Sequence, residues 1–396
     1  MVPEGWTEEY VKGLVRSLDA GVSVNSEDDG NENATHKILK TSCVSYGYFK
    51  SDETKSVIEQ SEIARLREPV IANSIIISRM NTPALVGANA YVEIALNNTY
   101  LPDRLWQLKP KNKVVEMRWL AYWLGSAHTR YRLSNLGTGT SGSMKNITKS
   151  DVLNLALLVP PLPEQKKIAQ ILSTWDKAIS TTEQLLANSQ QQKKALMQQL
   201  LTGKKRLLDE NGVRFSGEWK FVVFSDAFKI ANQKSTQVKS SDYLSFGDVP
   251  IVDQGQKLIA GFCNNSEHYK DIPVIIFGDH TRCIKWVDFA FCPGADGTQI
   301  LVSRSTLDIK FGYFLLSHVD IPNLGYSRHM RVLKELEFKI PSDLREQHSI
   351  AAVLTLAENE IKKYEQKLDA LKQEKKALMQ QLLTGKRRVK VDEEAA

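Results

Sequence analysis

From Ile350 onward the apolar positions step alternately by four and three: Ile350, Leu354, Ala357, Ile361, Tyr364, Leu368, Leu371, Leu378 and Leu382. Only Lys375 interrupts the series. An a/d pattern held for more than four heptads predicts a long helix with one apolar seam, the signature of a coiled coil. A second stretch keeps the same frame through Ile168, Leu172, Trp175, Ile179, Thr182, Leu186, Ser189, Lys193, Leu196 and Leu200, with a weaker middle. Asp343 and Glu346 have capping-box spacing, and Pro163 suits a first helical turn. Gly203 and Gly385 are placed as C-caps, with basic residues beside the negative end of each dipole. Each helix should run about 38 residues, or roughly 57 Å.

The two seams belong to an internal repeat. Lys193 to Lys204 returns unchanged as Lys375 to Lys386, an offset of 182 residues. The same offset aligns Glu164-Gln165 with Glu346-Gln347, Ile168-Ala169 with Ile350-Ala351, and Asp176 and Ile179 with Glu358 and Ile361. Because 182 divides by seven, heptad phase survives the repeat, and each helix offers the other an equivalent seam. An antiparallel intramolecular coiled coil is the expected pairing; two helices that each pack on their own domain are the alternative.

The blocks before each helix are dissimilar in sequence but alike in layout. Both open on an aromatic (Gly5-Trp6; Gly217-Glu218-Trp219) and continue in short β-rich runs between polar turns. Val70 to Arg79 is a strand candidate in the first block, and Val274 to Phe277, ended by Gly278-Asp279, is its counterpart in the second. Each block then shows a helix-like stretch (Trp119 to Tyr131; Phe311 to His318), a polar glycine-bearing segment, and an apolar run into proline (Val152 to Pro161; Leu333 to Pro341). The fold class is therefore α+β, with two globular domains joined by two long antiparallel helices in a pseudo-twofold arrangement.

Charge is distributed unevenly. The net charge of +6 resolves into +1 for residues 1–163, +5 for 164–206, −2 for 207–343, +5 for 344–390 and −3 for the last six residues. The basic excess thus sits on the repeated helices, chiefly at Lys204-Lys205-Arg206 and Lys386-Arg387-Arg388. The near-neutral blocks argue against simple nonspecific gripping of a polyanion. Cys43, Cys263, Cys283 and Cys292 lack C-x-x-C spacing and predict reduced, packed thiols. No apolar run reaches 18 residues and the N-terminus lacks a signal-peptide pattern, so a cytoplasmic location is expected.

At this point the motifs carry a resemblance. Pro160-Pro161-Leu162-Pro163-Glu164-Gln165-Lys166-Lys167-Ile168-Ala169-Gln170-Ile171-Leu172, echoed by Glu346-Gln347 to Leu354, resembles the conserved regions of the specificity subunit of a Type I restriction-modification system, as does each Leu-Leu-Thr-Gly-Lys ending. The resemblance implies target-recognition domain 1 over residues 1–160, conserved helix 1 over 161–206, target-recognition domain 2 over 207–342, conserved helix 2 over 343–390, and an acidic tail over 391–396. It further implies a non-catalytic subunit that reads a bipartite, gapped site in double-stranded DNA and docks two modification (methyltransferase) subunits, with restriction subunits in the full complex. No cofactor is expected on this chain; S-adenosylmethionine belongs to the methyltransferase partners.

The residues themselves speak against chemistry in this chain. There is no Asn/Asp-Pro-Pro-Tyr/Phe tetrapeptide to hold an extruded adenine and no G-x-G-x-x-G cofactor loop. Glu337-Phe338-Lys339, with Asp320 upstream, has nuclease-like spacing, but such spacing arises often by chance where a quarter of residues are charged. Gly137 to Lys145 is glycine-rich but departs from the P-loop pattern, and no metal-ligand spacing is present.

For DNA reading, forked or bidentate side chains on loops and small polar donors to phosphate are wanted. In the first block these are Ser78, Arg79 and Asn81 after a strand, and Thr138, Thr140, Ser141, Ser143, Lys145 and Asn146 in the glycine-rich segment. In the second they are Gln254, Gln256 and Lys257; His280, Thr281 and Arg282; and Tyr326, Ser327, Arg328, His329 and Arg331. The repeat also conserves positions that coil packing does not require. Lys194, Gln198, Gln199 and Lys204, with Lys376, Gln380, Gln381 and Lys386, are therefore candidate partner-docking residues. Two rivals stand beside this reading: a stand-alone coiled-coil interaction protein with two sensor domains, and a fused nuclease or methyltransferase with degenerate motifs.

Overall fold

The computed structural model describes residues 2–28, 34–45, 47–111, 114–139, 143–323, 325 and 327–391. The chain divides into two compact units: Met1–Thr181 with Leu368–Ala396, and Thr182–Lys367.

The first unit contains strands β1 (Thr7–Tyr10), β2 (Val15–Ala20), β3 (His36–Leu39), β4 (Thr54–Val57), β5 (Ser74–Ser78), β6 (Met80–Asn81), β7 (Asn89–Val92), β8 (Thr99–Tyr100), β9 (Leu105–Pro110), β10 (Lys145–Asn146) and β11 (Ala156–Val159). Its short helices are α1 (Val11–Leu14), α2 (Gln60–Ile63), α3 (Met117–Gly125), α4 (Ala127–Leu136) and α5 (Lys149–Leu153), and the long α6 (Leu162–Leu200) starts here. The second unit contains β12 (Trp219–Val223), α7 (Phe224–Ala227), β13 (Phe228–Ile230), β14 (Val249–Val252), β15 (Gly261–Cys263), β16 (Val274–Gly278), β17 (Ile284–Val287), β18 (Cys292–Pro293), β19 (Thr298–Ser303), α8 (Ile309–His318), α9 (Met330–Glu335) and β20 (Glu337–Pro341). The long α10 (Leu344–Leu382) starts in the second unit and ends in the first.

The two units share one topology. A four-stranded antiparallel sheet runs β2-β9-β5-β7 in the first and β13-β19-β16-β17 in the second. A three-stranded sheet runs β4-β3-β8 and β15-β14-β18, one pair antiparallel and one parallel in each case. A two-stranded ribbon, β1-β11 or β12-β20, leads into the long helix. The central strands read as unbroken apolar runs because both faces are covered. Ile75 and Ile77 enter the core shared with the helices, whereas Ile76 points to the core over the smaller sheet. Ile275 and Phe277 likewise oppose Val274 and Ile276, as the period of two requires.

Each helix-side core is closed from far away in sequence. Leu382 and Leu383 join Ile168, Ala169 and Leu172 in the first unit, and Leu200 and Leu201 join Ile350, Ala351 and Leu354 in the second. Within each unit, therefore, the start of one long helix packs beside the end of the other, antiparallel. A fork of two hydrogen bonds fixes each meeting. Arg388 donates twice to Glu164, at 2.8 Å each, and Arg206 donates twice to Glu346. Arg388 lies over the Trp6 ring and Arg206 over Trp219, the entry aromatics of the two blocks. Gln165 and Gln347 act as paired struts: each accepts from the backbone ahead of α3 or α8 and donates to the carbonyl of Pro160 or Pro341. Gly203 and Gly385 end the helical segments at φ of +71° and +69°.

Several expectations are adjusted. The stretch from Trp119 to Tyr131 is two helices, because Ser126 turns extended and caps α4 by accepting from the Thr129 amide. The first-block strand is confined to Ser74–Ser78, with Asn73 at positive φ before it. Asp343 does cap α10, accepting from the Arg345 amide, but no capping box closes because Glu346 is taken by Arg206.

The lysine that interrupts the seam has a partner in each unit. Lys375 donates to Asp176, which also accepts from the Tyr122 hydroxyl. Lys193 donates to Glu358 at 2.8 Å, which also accepts from the Tyr313 hydroxyl at 3.2 Å. Burial pushes the Glu358 carboxyl up, but the Lys193 hydrogen bond and the charges of Lys193 and Lys310 outweigh it and hold the carboxyl below its ordinary value of 4.5. A depressed carboxyl contributes stability that is full above the unfolded value and lost as pH falls through the folded one. Glu358→Gln should cost about 1–3 kcal/mol at neutral pH, and the difference from the unsubstituted chain should shrink as pH drops below 4.5. Denaturant titration across pH measures this; a difference that persists undiminished into acid would show that the carboxylate charge is not what holds the contact.

Candidate nucleic-acid interface

In each unit a turn after the central strand meets the segment that precedes the last short helix. In the first unit the turn is Arg79 to Asn81 and the segment ends at Lys145-Asn146. The two pair as β6 and β10, with Asn81 opposite Lys145 and Met80 opposite Asn146. Thr138 bridges Asn146 in turn. Arg79 Nε donates to Asn146 Oδ1 at 3.2 Å and its guanidinium lies over the Trp106 ring. Asn81 Nδ2 donates to Ser78 Oγ, and Lys145 Nζ donates to the Ser134 carbonyl. Two stretches that looked like separate candidates in sequence thus form one patch, holding Ser78, Arg79, Asn81, Thr138, Lys145 and Asn146. Ser78 is buried as its floor, Thr138 and Ser143 are exposed, and the other four are half-buried. Thr140 and Ser141 lie outside the described residues.

The second unit builds the equivalent patch from four pieces. Gln254 Oε1 accepts from the His280 amide, and the Gln254 carbonyl accepts from the Thr281 hydroxyl. The Asp279 amide donates to the Gly297 carbonyl, and the Asp279 carbonyl and carboxylate accept from the amides of His329 and Met330. Lys285 Nζ donates to the carbonyls of Asp253 and Lys257, bracing the loop that carries Gln256 and Lys257. Burial pushes the Lys285 ammonium below its usual value, opposed by the Asp253 carboxylate. Gln256, Lys257, Thr281, Ser327, Arg328 and Arg331 are exposed, while Gln254, His280 and Arg282 are half-buried. Tyr326 lies outside the described residues.

Several of these side chains are braces. Arg282, at φ +60°, donates to the Ile321 carbonyl, and Gln254 and Thr281 are tied to one another's loops. His329 is fully buried, with Nδ1 2.9 Å from the Asp279 carbonyl. The Ile147 amide meets the Arg79 carbonyl as the His329 amide meets that of Asp279, so His329 fills the place of buried Ile147. This corrects the expectation that His329 faces outward: its imidazole is spent inside the fold.

Two further residues were not singled out from sequence. Arg104 is exposed, and its carbonyl receives the Arg79 amide, which sets it beside the first patch. Lys285 stands at the buried parity of β17, a polar residue where alternation demands an apolar one; that misfit was its only sequence signal. Among the described residues no group of three His, Cys, Asp or Glu could hold a metal ion, and no helix is long and apolar enough to cross a membrane. Cys43, Cys263 and Cys292 are buried free thiols and Cys283 is half-buried. Glu337 and Lys339 lie exposed on β20.

On the long helices, Lys194, Gln198, Gln199 and Lys204 are all exposed, and so are Lys376, Gln380, Gln381 and Lys386.

Residues 3–188 match the family described as the type I restriction modification DNA specificity domain. Residues 3–188 belong to that family, and the likeness to its specificity subunits extends along the whole chain. A chain named as the MjaX specificity subunit of a type I restriction enzyme from Methanocaldococcus jannaschii is 26% identical, over 98% of this chain and 95% of its own length. The MjaVIII specificity subunit from the same organism is 24% identical over 81% of this chain and 82% of its own. The crystal structure of the S subunit of a type I system from M. genitalium shares the fold, with a TM-score of 0.66 and 15% identity over 97% of this chain and 99% of that one.

The burial pattern separates scaffold from surface. His329→Ala is expected to cost about 1–3 kcal/mol of stability, and Arg331→Ala, which removes only an exposed pairing with Glu335, to stay within about 0.5 kcal/mol. Urea denaturation of both variants checks this; equal stabilities would place His329 among the surface residues after all.

Proposed function

We propose that this specificity subunit reads a bipartite, gapped site in double-stranded DNA, one half with each unit, and is not itself a catalyst. The observation that carries the reading is that two units of one topology set different side chains at the same edge. Arg79, Asn81, Lys145 and Asn146, with Thr138 and Ser143, read one half, and Thr140 and Ser141, outside the described residues, are assigned to it from sequence. Gln256, Lys257, Ser327, Arg328 and Arg331 read the other, with Gln254, His280, Thr281 and Arg282 shaping the loops, and Tyr326, outside the described residues, is assigned to it from sequence. Arginine and asparagine suit guanine and adenine edges, and the hydroxyls and lysines suit phosphates.

The exposed residues Lys194, Gln198, Gln199 and Lys204 and their repeats Lys376, Gln380, Gln381 and Lys386 form two equivalent docking surfaces, one for each of two modification subunits. Restriction subunits join through those partners. S-adenosylmethionine and the methyl-transfer step belong to the modification subunits, and α6 and α10 set the gap in the target.

Methylation profiling of DNA from cells carrying the chain with its modification subunit should reveal one bipartite, gapped motif. Arg79→Ala should relax one half only, costing about 1–3 kcal/mol of discrimination at the affected base; a single uninterrupted motif, or loss of both halves together, speaks against the assignment. Four residues inserted between Glu164 and Thr202 add roughly 6 Å of helix and should lengthen the gap by one to two base pairs, at about 3.4 Å per base pair. An unchanged gap would sink the ruler reading.

A further inference from the structure

The repeat that builds two equivalent seams also creates an ambiguity. Residues 193–204 and 375–386 are identical, so their apolar positions would fit each other equally well side by side and parallel, within one chain or between two. Leu196 would meet Leu378 and Leu200 would meet Leu382, in register. What distinguishes that arrangement from the observed one is the polar position in the seam. Parallel and in register, Lys193 would share a core layer with Lys375, two ammonium groups with no carboxylate between them. Antiparallel, each lysine finds the acid that the other helix carries: Lys375 meets Asp176, and Lys193 meets Glu358.

We propose that these two lysine–carboxylate contacts select the antiparallel pairing and its stagger, and so keep the repeated helices from pairing like with like. Four observations support this. The four charged groups are largely withdrawn from water, with side-chain exposures of 17% and 21% for Lys375 and Asp176 and 21% and 14% for Lys193 and Glu358. Like charges brought together there repel strongly. Each acid is also held by a tyrosine of its own unit, Tyr122 or Tyr313, which gives it an anchor besides the lysine. Aromatic rings lie beside both lysines, Tyr48 and Tyr122 at Lys375 and Phe314 at Lys193. Finally, the contacts recur at matching places in the two units: Tyr122-Trp123-Leu124 of α3 and Tyr313-Phe314-Leu315 of α8 each deliver a tyrosine hydroxyl to the repeat-related acid. Burying polar groups in a seam seldom adds stability over apolar packing, and its best-attested role is to fix register and partner.

The inference does not rest on the DNA-reading proposal, and its test uses the full chain alone. In an apolar variant (Asp176→Leu, Glu358→Leu, Lys193→Met, Lys375→Met), the melting temperature should match or exceed that of the unsubstituted chain. Sedimentation velocity should nevertheless show additional, self-associated species. In a reversed variant (Asp176→Lys, Lys375→Asp, Glu358→Lys, Lys193→Glu, with Lys310→Glu because Lys310 lies 4.0 Å from Glu358), the species of the unsubstituted chain should return. Selection by these charges is overturned if the apolar variant sediments as the unsubstituted chain does, if it melts well below it, or if the reversed variant self-associates like the apolar one.

Discussion

Neither unit can complete its core from a contiguous stretch of chain. The first needs Leu382 and Leu383, more than 200 residues beyond Ile168 and Leu172, and the second needs Leu200 and Leu201 beside Ile350 and Leu354. Burying two leucines in each core is worth several kcal/mol to domains whose net stability is of that order. The long helices are therefore structural parts of both units as well as connectors. The bidentate Arg388–Glu164 and Arg206–Glu346 contacts sit where each helix end enters its core. Their glutamates are almost completely buried, at 3% and 0% exposure, so each arginine is needed to offset a charge taken out of water.

This bears on how the basic helix ends should be understood. As sequence, Lys204-Lys205-Arg206 and Lys386-Arg387-Arg388 look like two uniform positive clusters available to a partner. In the fold the third member of each cluster is paired with a buried glutamate, and its guanidinium lies over a tryptophan. What remains outward is a pair of cations next to exposed glutamines, Gln198-Gln199 and Gln380-Gln381. The outward surface is thus more polar and less charged than the sequence implies.

Much of the architecture could be read before folding, because its signals are local. The heptad frame, the C-cap glycines and the central apolar strands depend on periodicity or backbone conformation, and every a/d position named in the two helices is buried or half-buried. The shared topology of the blocks was visible only as a similar layout. Identical sheet order survives almost complete change of side chains because the apolar run of β5 or β16 needs only to be apolar on both faces. The candidate site was less legible. Which loops meet depends on pairings across 67 residues, such as Arg79 with Asn146, that no local pattern announces. Whether a polar side chain reads outward or braces inward depends on its neighbours.

The pair Ile147 and His329 shows why composition misleads at such a site. Both occupy the position where the pre-helix segment docks on the turn after the central strand, and both are buried. Isoleucine fills that place by apolar packing alone, and the turn it meets keeps Arg79 as a side chain at the patch. Histidine can fill it only by hydrogen bonding, and Asp279 supplies the carbonyl, its carboxylate being used to cap α9. The acid and the histidine are coupled, and together they remove from the surface two groups that sequence alone would count as polar contacts. In the second unit the outward-facing chemistry is consequently shifted to the flanking loops, at Gln256, Lys257, Arg328 and Arg331. The same scaffold position has thus been solved twice, once with an apolar plug and once with a polar one, and each solution dictates which neighbouring residues are left to face a ligand.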